Sequence, residues 1–60
     1  MYILRCVRRD GKPDEDFPYS ELTDALWHIQ QFQDDDSDIY EKILVIDEKG
    51  NEIAGIYWDG

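Results

Sequence analysis

Asp34, Asp36 and Asp38 alternate along the chain as the first ligands of a calcium loop do. An EF-hand loop also needs glycine at its sixth position and a bidentate glutamate at its twelfth. Counted from Asp34, those positions hold Ile39 and Val45, so the motif fails. With Asp35, these residues read instead as a solvated acidic surface that holds no dedicated metal. His28 is the single histidine, and its helical neighbours Asp24, Gln31 and Phe32 offer no nucleophile to complete a triad. It reads as a surface or half-buried helix residue. Cys6 is equally alone, which excludes an internal disulfide and any Cys-x-x-Cys or zinc ligand set. It shares a strand face with Tyr2 and Leu4, where an inert buried thiol is the ordinary outcome. The chain has no glycine-rich phosphate loop, nucleophile elbow or His-Glu-x-x-His run. Carboxylates are plentiful, but acid–base work needs a pocket that drives their pKa values apart. A 60-residue chain rarely encloses one. The expectation is a protein without catalysis and without a cofactor.

Charge sets the next bound. The net charge is −9, divided as +3 over residues 1–13 and −12 over residues 14–60. Such a balance disfavours nucleic-acid backbones and anionic membranes, because both are bound by Lys and Arg. Arg5, Arg8 and Arg9 beside Tyr2 resemble a single-strand platform in composition. Neutralisation of that basic strand by acidic segments within the fold is the simpler expectation. A lone cysteine points to a reducing cytoplasm rather than to secretion. No apolar run reaches the roughly 20 residues that span a bilayer, and Met1–Arg9 lacks the pattern of a signal peptide.

The elements that would position these groups follow from periodicity. Residues 2–9 alternate with period 2 and predict a strand, ended by turn chemistry at Asp10-Gly-Lys-Pro13. Residues 14–17 admit a short extra strand folded back on the first, with Phe17 inward and Pro18 stopping the pairing. Ser20 is an N-cap candidate, and Leu22, Ala25, Leu26, Ile29 and Phe32 recur at helical spacing. One amphipathic helix over about residues 20–33 is predicted, ended by the acidic run 34–38. Tyr40–Ile46 and Glu52–Trp58 then form a hairpin around Gly50. The expected fold is a single α+β domain over residues 1–60, ordered β-α-β-β. It is a three-stranded antiparallel sheet with one helix on one face and residues 52–58 in the middle.

The hairpin carries apolar residues on both faces. With Val45 set opposite Ile53 and Tyr40 opposite Trp58, one face holds Ile43, Val45, Ile53 and Tyr57. The other holds Tyr40, Leu44, Ile46, Ala54, Ile56 and Trp58. One helix covers one face, and a solvated second face should be polar. Tyr40, Leu44, Ile46, Ile56 and Trp58 are therefore the candidate partner-binding residues, with Asp34, Asp35, Asp36 and Asp38 as the acidic surface. Folding of segment 10–18 and residues 58–60 over that face is the competing explanation.

Two functions are consistent with this pattern. The first is a non-catalytic interaction module binding protein, self or other, with a homodimer favoured. The second is an acidic inhibitor of phage or mobile-element type, its carboxylates standing in for phosphates in a partner's basic groove. The closing strand–Asp47-Glu-Lys-Gly-Asn-Glu52–strand pattern resembles the terminal hairpin of many small bacterial and phage proteins. That resemblance covers about twenty residues of generic turn chemistry and carries over no site.

Overall fold

Alternation at Tyr2–Arg8 produces strand β1, and the computed structural model, which describes residues 1–58, builds the molecule around it. The chain continues through β2 (Glu15–Tyr19), helix α1 (Leu22–Ile29), a 3₁₀ helix (Asp34–Asp38), β3 (Tyr40–Asp47) and β4 (Glu52–Tyr57). The sheet has four strands in the order β2-β1-β3-β4, every neighbouring pair antiparallel. The short strand near residues 14–17 is thus a full member, which corrects the three-stranded expectation.

That one strand rearranges the topology. Without it, a single helix returns the chain so that residues 40–47 run parallel to β1. With β2 inserted, the direction reverses once more and β3 pairs directly with β1, Leu4 opposite Val45 and Cys6 opposite Ile43. Residues 52–58 are displaced from the centre of the sheet to its edge. Pro18 does not stop the pairing either. It lies on an edge strand opposite Ile3, and Tyr19 still pairs with Tyr2 beyond it, because an outward-facing position needs no ladder donor.

The helix is shorter than its apolar pattern. Tyr19 is held extended by Tyr2, so Glu21 rather than Ser20 is the N-cap, and it makes no side-chain capping bond. At the far end Gln31 N–H donates to the His28 carbonyl (3.0 Å) and Phe32 N–H to that of Ile29 (3.4 Å). These i→i+3 bonds tighten and close the last turn. The Asp36 carboxylate then accepts the Gln33 N–H at 2.8 Å and opens the 3₁₀ helix.

Leu4, Cys6, Ile43 and Val45 from the sheet, with Ala25 and Ile29 from α1, form the buried core. Tyr2, Tyr19, Leu22, Phe32, Tyr40, Ala54, Ile56 and Trp58 pack around it. The layer is one helix on one sheet face. Segment 10–18 does not fold across the other face, because most of it is β2 and its approach. Trp58 belongs to the helix-side packing, and Asp59 and Gly60 lie outside the described residues.

Candidate interaction face of the sheet

Two irregularities in the ladders decide which residues the uncovered face presents. In the β3–β4 hairpin, Val45 pairs with Ala54 but Ile46 pairs with Glu52, so Ile53 is an extra, unpaired residue. Gly50 at φ 85° and the Asp47 carboxylate set up this turn, the carboxylate accepting the Lys49 and Asn51 N–H groups at 2.9 and 2.8 Å. Those bonds, led by Asn51, hold Asp47 below the usual carboxylate range. The bulge slips β4 by one residue against the unbulged pairing, and a one-residue slip exchanges every side chain between faces. The second shift lies between Val7 and Arg8, where Arg8 pairs with Tyr40 and Glu41 is passed over.

Both shifts correct the expected site. Ile56 opposite buried Ile43, and Tyr40 opposite Arg8, stand on the helix side, where Trp58 also packs. Of the five candidate partner-binding residues, only Leu44 and Ile46 face away from the helix. The structure brings them together with residues the hairpin pattern alone did not supply. Across the sheet, Ile3 faces Ile46, Arg5 faces Leu44, and Val7 faces Lys42. Lys42 in turn faces Tyr57, and Leu44 faces Gly55. Ile3, Val7, Leu44 and Ile46 make a half-buried apolar ribbon over the two central strands, continued by Tyr57, which is 58% exposed.

Polar groups interrupt and frame the ribbon, with Arg5 between Ile3 and Val7 and Lys42 beside Leu44. Arg5 grips Asp16 on β2 through two hydrogen bonds, 2.9 and 3.1 Å, and its guanidinium holds the Asp16 carboxyl below its ordinary range. On β4 the Tyr57 hydroxyl donates to Glu52, which raises the phenol's pKa. The two side chains close over Gly55: a Cβ there would meet Glu52 Oε2 at 2.9 Å and the Tyr57 ring at 3.0 Å. Gly55 lies opposite Leu44, on the face away from the helix, and admits these two residues. Lys42 Nζ stands 6.0 Å from the centre of the Tyr57 ring, within cation–π range.

The remaining candidate residues are held by structure. Arg8 binds Asp10 at 2.8 and 3.1 Å and Glu15 at 3.0 Å. Glu15 also accepts the Tyr40 hydroxyl at 2.8 Å, and the two interactions, Tyr40 first, lower its pKa. Arg9 donates to the carbonyls of Ser37, Tyr40 and Trp58. Arg5 and Arg8 are thus neutralised within the fold, whereas Arg9 is held by backbone carbonyls. His28 lies among aromatic rings, stacked on Phe32 with centres 5.6 Å apart, edge-on to Phe17 and Tyr19, with the Tyr19 hydroxyl 2.5 Å from Nδ1. Burial pushes the Cys6 thiol up to about 11. Asp34, Asp35 and Asp38 are exposed on the 3₁₀ helix, while Asp36 is spent on its cap. Among the described residues no three His, Cys, Asp or Glu side chains converge on a metal-sized point, and no helix is long and apolar enough to cross a membrane.

The outer face of α1 carries one residue the helical pattern passed over. Trp27 is 66% exposed, two residues from each of Ala25 and Ile29 and so on the opposite side of the wheel, and that position was the available signal. No family model, curated protein or solved structure matches this chain.

Proposed function

We infer that this chain is a non-catalytic protein-interaction module that acts as a homodimer and presents the uncovered face of its sheet to protein. The observation that carries this reading is the ribbon Ile3–Val7–Leu44–Ile46, continued by Tyr57, on a face with no second layer among the described residues. Antiparallel sheets solvated on one side place polar residues there. Contiguous apolar surface on a small protein marks a contact surface. Full burial of a large apolar side chain is worth about 1.5–3 kcal/mol, and half-buried Ile3, Leu44 and Ile46 leave part of that unrealised. A domain of this length has little stability in reserve, so an added chain on the sheet strengthens the fold as well as forming the contact.

The test is a dilution series followed by amide chemical shifts. Concentration-dependent shifts should gather on the sheet, at residues such as Leu44, Ile46, Gly55 and Tyr57, and leave the outer face of α1 unmoved. Shifts centred on Trp27 and its helical neighbours would place the contact on the wrong side of the molecule and end this reading.

A further inference from the structure

The two edges of the sheet are unlike. On β2 the edge carries Glu15, Asp16 and Pro18 within five residues, and proline and charge are the usual guards against edge pairing. On β4 the sequence Glu-Ile-Ala-Gly-Ile-Tyr has no proline and a single charge, and its bulge at Ile53 leaves Ala54–Tyr57 regular. That charge, Glu52, is tied to the Tyr57 hydroxyl. Beyond β4, Trp58 N–H still donates to the Glu41 carbonyl at 3.3 Å. Antiparallel ladders alternate, so residues of Trp58's parity turn their backbone groups toward β3. Gly55 and Tyr57 therefore turn their N–H and C=O groups outward, where no strand among the described residues meets them. The exposed edge is a template for another strand.

We propose that the β4 edge pairs, antiparallel, with β4 of a second copy, joining two four-stranded sheets into one of eight strands. This rests on the homodimer reading above but puts the meeting of the copies at the β4 edge, which leaves both ribbons open to a further protein. A second copy fits by symmetry. Two-fold symmetry makes any β4–β4 pairing antiparallel and gives each copy the same contacts, so the outward groups of Gly55 and Tyr57 on one chain meet those of the other. The apolar ribbons of the two copies then lie on the same side of one continuous sheet, and the exposed edge is paired.

The test compares two altered chains with the unaltered protein by sedimentation equilibrium. An N-methyl group placed on Gly55 by chemical synthesis removes an outward donor and blocks the edge, with every side chain intact. Dimerisation should weaken at least about 100-fold, as expected for two lost main-chain bonds, while the circular dichroism of the fold is unchanged. Leu44→Glu, one strand in from the edge, should leave dimerisation within about threefold of the original, a shift smaller than one such bond. If the N-methylated chain does not fold, Ile53→Lys supplies an edge guard at an exposed position (41% accessible) and should weaken association likewise. Dimers that survive both edge changes but are lost with Leu44→Glu overturn the edge pairing and leave the uncovered-face homodimer standing. Loss with Leu44→Glu as well as with the edge changes also overturns it. An unaltered protein that never dimerises overturns both.

Discussion

Replacing Ile56 with alanine should cost far more stability than the same change at Ile53, and the difference reports the hairpin register. Ile56 faces buried Ile43 and packs on the core, whereas Ile53 is the extra residue of the bulge and is 41% exposed. A fully buried Ile→Ala change costs about 2–5 kcal/mol. Ile56 is partly accessible, so roughly half of that, about 1–2 kcal/mol, is expected. For a domain this small each kcal/mol moves the Tm by about 4–8 °C, which makes the Ile56→Ala shift roughly 5–15 °C. Ile53→Ala should cost well under about 1 kcal/mol and move the Tm by less than about 4 °C. Thermal unfolding by circular dichroism, at one low protein concentration for both variants, makes the comparison. An unbulged hairpin sets Ile53 against buried Val45 and turns Ile56 away from the helix. A larger loss at Ile53 than at Ile56 would therefore refute the register and the face assignment built on it.

Acid should destabilise the fold through Asp10, Glu15, Asp16 and Asp47, each held below its ordinary pKa by its partners. Because the folded values are depressed, this stability is complete above the unfolded carboxylate values near about 4 and is lost as pH falls through the folded ones. Urea midpoints between about pH 5 and pH 2 should fall. In Arg5→Gln they should fall less steeply, and an unchanged slope would mean the Arg5–Asp16 pair contributes nothing. Cys6, buried with its thiol pushed up to about 11, should resist a thiol reagent at pH 8 and react on adding denaturant, whereas rapid native reaction would contradict its burial. Melting with a chelator and with excess calcium should agree within about 2 °C, since Asp36 is engaged with the Gln33 backbone rather than free to ligate. A large rise with calcium would give the acidic run a binding role.

The elements were legible in the sequence wherever a period was sustained: residues 2–8, the apolar face from Leu22 to Ile29, and both strands of the hairpin. Glu15–Tyr19 was legible only as a short strand, because five residues containing two acids and a proline carry little strand signal. Its effect was nonetheless global, since one added strand reversed the direction of everything after it and put β3 beside β1. The candidate site failed for a narrower reason. Gly50 signalled a bulged hairpin, but the register assigned to it ignored the extra residue at Ile53. Period-2 patterning then placed Ile56 and Trp58 on the wrong face. Tyr40 was lost to the second bulge, at Val7 and Arg8, for which no local turn residue gives notice. Leu44 and Ile46 survive because the extra residues are Ile53 on β4 and Glu41 at the start of β3, and β3 runs regularly from Lys42 to Asp47. Ile3 and Val7 join them only through the β1–β3 pairing, a long-range contact that no local pattern encodes.

Sedimentation equilibrium of the unaltered chain at low and at high salt tests self-association most directly. Two chains of charge −9 repel, and at about 0.1 M ionic strength that repulsion is screened beyond about 10 Å. The predicted result at micromolar concentration is a mass rising from near 7.1 kDa toward twice that value, with tighter association at the higher salt. A mass of 7.1 kDa at every concentration and in both salts would contradict the homodimer and the edge pairing that rests on it.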